Sequence, residues 1–143
     1  MKCCTVFALV LGSAFVLSSG SPQLSAQVCK DEEGMVADYK KVVTDLVETV
    51  KKESVMDFAK AFHQKNVSTK LMLFGNTVDG LIGCLQKRAS NPATAKEDAD
   101  AAKGKIAASN KLKDTIKQDR DALKAAQTEK DAKALIEKFA FTG

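Results

Sequence analysis

Apolar residues return at steps of three and four from residue 30 to the end of the chain, and a single proline, Pro92, interrupts that stretch. This spacing puts the apolar side chains on one face of a helix of 3.6 residues per turn. Abundant alanine and lysine, both good helix formers, point the same way. The chain is therefore predicted to be all-α, an antiparallel bundle of four to five helices with short connections.

The first helix is predicted to start near Asp31. Met35, Tyr39, Val42, Val43, Leu46 and Val50 share a face, which Val36 and Val47 broaden. Asp31, Glu32 and Glu33 stand at its positive end and Lys51 and Lys52 at its negative end, as the helix dipole favours. The valines are β-branched, but their period is not two, which argues against a strand.

A shorter second helix is predicted to begin after Ser54, with Asp57 three residues on as a variant of the capping box. Val55, Phe58, Ala59 and Phe62 form its apolar stripe, and it should end near Gln64. Asn66-Val67-Ser68 is an N-glycosylation sequon, expected in an exposed connection, so Asn66 is a candidate glycosylation site.

The third helix is predicted from near Ser68 to about Arg88. It has the strongest apolar face: Leu71, Phe74, Val78, Leu81, Ile82 and Leu85. Leu71 to Phe74 is apolar nearly all round, which marks a central helix. Gly75, Gly80 and Gly83 each cost about 1 kcal/mol against alanine inside a helix. Close helix approach is the preferred account of them, and a small cavity the alternative.

Asn91-Pro92 marks a turn, with Pro92 expected in the first turn of the next helix. From there to residue 127 the apolar stripe is thin. Ala99, Ala102, Ile106, Leu112, Ile116 and Leu123 carry it, Ser109 and Asp119 interrupt it, and Gly104 is a candidate break. This half is expected to dock weakly through an alanine seam. A last helix should follow Thr128 and Asp131, with Ala132, Leu135, Ile136 and Phe139 inward and Phe141 as an apolar plug.

The first twenty residues read as a secretory signal peptide: Lys2, an apolar run from Cys3 to Leu17, then Ser18, Ser19 and Gly20. The run is shorter than the about 20 apolar residues that span a bilayer, so stable membrane insertion is not expected. Cleavage is placed after Gly20, with Ser18 and Ala26 as alternatives. Residues 21–143 then form one secreted domain, with a disulfide-linked apolar-rich half (29–88) and an Ala/Lys-rich helical half (92–143). Cys3 and Cys4 leave with the leader. The remaining thiols, Cys29 and Cys84, read as one intramolecular disulfide in an exported chain. Closing that loop stabilises by about 3–4 kcal/mol in the chain-entropy model.

Loss of Lys2 takes the net charge from +4 to +3. Both signs are interspersed, with no basic block and no tryptophan for base stacking, so nucleic acid is not an expected partner. His63 is the only histidine; it reads as a surface or boundary residue. Two cysteines and one distant histidine do not make a zinc set, and no phosphate loop or calcium loop is present. No catalytic residue, metal or cofactor is therefore expected. The preferred reading is a secreted non-enzymatic factor that binds an extracellular protein. One alternative is a carrier of a small apolar or lipid ligand in a cavity lined by Leu71, Phe74, Val78, Leu81 and Ile82. Another is a membrane-active or antimicrobial protein.

Overall fold

The computed structural model describes residues 29–141; the proposed leader and residues 21–28 lie outside them. Five helices follow one another: α1 (Lys30–Lys52), α2 (Val55–Lys60), α3 (His63–Ser90), α4 (Lys96–Ala125) and α5 (Glu129–Ile136). No strand occurs among the described residues. None of these helices is long and apolar enough to cross a membrane.

The central helix is α3, which packs against α1 and, along most of its length, against α4. The three long helices run antiparallel in turn. The C-terminal ends of α1 and α4 therefore meet the N-terminal end of α3. There the short α2 and α5 pack on each other and close the bundle. At the opposite end Cys29 is bonded to Cys84, with their Cα atoms 5.8 Å apart. Leu81, Leu85 and Ala102 cluster around that bridge. The main core joins Val43, Val47 and Val50 of α1 to Leu71, Phe74 and Val78 of α3, Ile116 and Leu123 of α4, and Ile136. Phe141 closes it, edge-on to Phe74 with ring centroids 5.6 Å apart.

The predicted caps form. Ser54 Oγ accepts from the Asp57 backbone N–H at 3.2 Å and donates to its carboxylate at 2.7 Å. Thr128 and Asp131 repeat the pattern at α5, at 3.1 and 2.6 Å. Each satisfies an orphan amide of a helix start and contributes about 1 kcal/mol.

Several boundaries and faces differ from expectation. On α1, Met35 and Val42 are exposed. The buried line runs through Val43, Val47 and Val50, with Val36, Tyr39 and Leu46 beside it. Helix α2 stops at Lys60, because Phe62 turns into the left-handed region (φ 53°). Helix α3 consequently starts at His63, and the sequon lies inside it rather than in a connection. Val67 is completely buried in this register, and Gln64 ties the helix start to α4 by donating to the carbonyls of Leu123 (2.9 Å) and Ala126 (3.3 Å).

Pro92 stands in the turn before α4, not in its first helical turn. Asn91 closes that turn: its Oδ1 accepts from Ala93 N at 2.9 Å and its carbonyl from Thr94 N at 3.0 Å, as asparagine does in tight turns. Helix α4 then runs through Gly104 without a break. Its buried seam is not chiefly alanine: Leu112, Ile116 and Leu123 join Ala102 and Ser109. Three ion pairs lie along the outer edges: Glu33–Lys105 (2.6 Å), Asp79–Lys113 (2.5 Å) and Arg88–Asp98 (3.2 Å). Partly exposed pairs of this kind contribute at most about 1 kcal/mol each.

Candidate functional site

The end of the bundle closed by α2 and α5 holds the least compensated surface. Phe62 is 72% exposed and Met56 66%. Val55, also exposed, begins the same short helix. The sequence spacing assigns Val55 and Phe62 to the inner stripe with Phe58. In the structure Phe58 alone is fully buried, because six helical residues present only one full face to the core. Spacing cannot distinguish the two arrangements, since 55, 58 and 62 also recur at three and four.

The turn carrying Phe62 is held from below. His63, expected as a surface or boundary residue, is buried, its ring 5.6 Å from that of Phe58. Its Nε2 lies 2.7 Å from Glu53 Oε2 at the end of α1. This is a close polar contact without aligned hydrogen-bond geometry, since neither imidazole nitrogen has a hydrogen-bond partner among the described residues. Asn66 Nδ2 donates to the carbonyl of Ala61 at 3.1 Å, and the Ala61 amide to Asp57 O at 3.0 Å. A bulky residue with positive φ is an outlier that costs about 1–3 kcal/mol. Here an aromatic side chain is held in that conformation and left in solvent.

The predicted ligand cavity is filled. Leu71, Phe74 and Val78 are fully buried, Leu81 and Ile82 nearly so, all packed against neighbouring side chains. The clefts lie outside them. One of about 140 Å³ opens between α3 and α4 over Leu71, Gly75 and Ile116, rimmed by Lys113, Lys117 and Arg120. A second, of about 240 Å³, continues the same seam past Leu123 to Gln64 and Lys124. A third, near the disulfide, holds the Arg88–Asp98 and Glu33–Lys105 ion pairs, although Arg88 Nε, like Arg120 Nε, is shielded without a hydrogen-bond partner among the described residues.

Gly75 faces Ile116, where an added Cβ would meet Cγ2 at 3.7 Å, an ordinary contact. A Cβ at Gly80 or Gly83 would meet nothing within 4 Å. Close helix approach therefore explains none of the three glycines. Gly75 instead leaves the first cleft open.

The Glu32 carboxylate approaches the Cys29 and Cys84 sulfurs, but the disulfide offers no thiolate to a metal. On α4, Asp119 is turned partly inward, and burial raises its carboxyl above the ordinary value of 3.8. On α1, the hydrogen bond and charge of Lys51 hold the exposed Glu48 below its ordinary value.

No protein-family model, no curated protein and no solved structure matches this chain.

Proposed function

We propose that this is a secreted, non-enzymatic helical factor that binds an extracellular protein through the α2 turn. The observation that carries the reading is Phe62, an exposed aromatic side chain on a strained, well-braced turn, with Met56 and Val55 beside it. Aromatic residues are prominent among the few side chains that dominate binding energy at protein interfaces. A rigid support lowers the ordering cost of binding.

The chemistry of the remaining groups fits a binding role. Both described cysteines are joined in the bridge, as suits an oxidising compartment. The single histidine is enclosed by Phe58 and Glu53. Asn66 is exposed on the first turn of α3, its amide bonded to the Phe62 carbonyl at 3.0 Å. A glycan on Asn66 would stand beside Phe62 and restrict access to it.

The test is retention of a protein from the natural extracellular fluid by the immobilised wild type and by a Met56→Ser/Phe62→Ser variant. Both side chains are exposed, so the variant should keep its helical circular dichroism. The proposal expects a specific protein on the wild type and its loss from the variant. Equal retention by both would reject the α2 turn as the binding surface.

A further inference from the structure

We propose that the α3–α4 cleft is a binding site for a small amphipathic anion, one anionic head on a short apolar tail. This site is separate from the α2 turn, and the proposal does not depend on a protein binding there.

The floor and the rim of the cleft differ in chemistry. Leu71 and Ile116, both almost wholly shielded, underlie the cleft, and half-exposed Met72 supplies its accessible apolar wall. Gly75 keeps the cleft open, since any side chain there would project toward Ile116. The rim is cationic. Lys113, Lys117 and Arg120 recur at steps of four and three on α4, and Lys124 continues the row into the neighbouring cleft. Residues so spaced share one helix face.

These cations are unequally matched. Lys113 is paired with Asp79 at 2.5 Å, which closes one end of the cleft. Lys117 and Lys124 have no ion-pair partner among the described residues. Arg120 reaches only its own neighbour Asp121, at 3.7 Å. Its Nε is shielded from solvent and has no hydrogen-bond acceptor among the described residues. A shielded donor without a partner is costly. The Arg120 side chain as a whole is 29% exposed, so a carboxylate or sulfate at the cleft can draw the guanidinium round into a charge-assisted bond. The head is therefore assigned to Arg120 and Lys117, and the tail to the floor between Leu71, Gly75 and Ile116.

The volume limits the ligand. A pocket that encloses a drug-sized molecule holds about 300–1,000 Å³. This cleft holds about 140 Å³, so it suits a short chain or a single ring with the head at the open edge. A partner helix, about 10 Å across, would not enter it.

The experiment is a two-dimensional NMR titration with octanoate, followed at the amides of Leu71, Gly75 and Ile116. Acetate supplies the head without the tail, and methyl octanoate the tail without the charge. Saturable shifts confined to the cleft are expected for octanoate and not for either control. Arg120→Gln should weaken octanoate binding about tenfold or more, as loss of a charged hydrogen bond does. Gly75→Leu should abolish it by filling the floor; Gly75→Ala, whose Cβ fits, is the milder companion should leucine disturb the fold. The proposal is overturned if octanoate gives no saturable shift in the cleft, if methyl octanoate binds as tightly, or if Arg120→Gln binds unchanged. Octyl sulfate, run beside octanoate, reads head-group preference: tighter binding of one than the other names the preferred head, while octanoate alone decides whether the site exists.

Discussion

His63 Nε2 lies 2.7 Å from Glu53 Oε2, linking the first turn of α3 to the end of α1 across the short helix between them. His63 is almost wholly shielded, and the Phe58 ring lies beside it. Removing one partner deprives the other of this contact in a poorly solvated place, with an expected loss of about 0.5–3 kcal/mol, the usual range for a single substitution. Glu53→Ala and His63→Ala should each lower stability in chemical denaturation. The double variant should lose less than the two single losses combined, because the coupling is already gone. Strictly additive losses would show that the contact contributes nothing beyond packing.

The bridge between Cys29 and Cys84 spans a sequence separation of 55. Reduction, or Cys84→Ser, should cost about 3–4 kcal/mol by loosening the constraint on the unfolded chain. The end of the bundle at Leu81, Leu85 and Ala102 should feel it first, since those residues pack around the sulfurs. Thermal melts with and without reductant check the size. Hydrogen exchange of those amides checks the location.

Gly80 lies inside α3, and an added methyl there would meet nothing within 4 Å. Gly80→Ala should therefore stabilise by about 0.5–1 kcal/mol, the ordinary helix-propensity difference. Close packing at this position would reverse the sign, so a raised melting temperature decides the point.

Burial raises the Asp119 carboxyl above its ordinary value. The folded state therefore holds its proton to higher pH than the unfolded chain does. Stability from this group is complete below the unfolded value and is lost as pH rises through the folded one. Asp119→Asn should be more stable than wild type at neutral pH, and the advantage should disappear in acid. Melting curves at several pH values give the comparison; an advantage independent of pH would remove the carboxyl as its cause.

The buried seam of α4 includes Leu112, Ile116 and Leu123. Amides between Leu112 and Leu123 should accordingly exchange about as slowly as those between Leu71 and Leu85. The exposed first turn of α4, from Lys96, should open earlier. Fast exchange throughout residues 106–123 would instead describe a mobile arm.

The sequence by itself determined the helices and the bridge. Periodicity, the Ser54 and Thr128 caps and the charge placement on α1 are local properties, and local physics fixes them within a turn or two. Tertiary structure decided which members of each apolar stripe go inside. Val42 and Val43 are neighbours, yet Val43 is fully buried and Val42 exposed, because a docked helix buries only one face. The same selection put Phe58 inside and left Val55 and Phe62 in solvent. His63 and Glu53 are ten residues apart in the chain and touch only because α2 folds back between them. The α3–α4 cleft needs Gly75 and Arg120 brought together across an antiparallel pair, and no spacing along one chain encodes that distance.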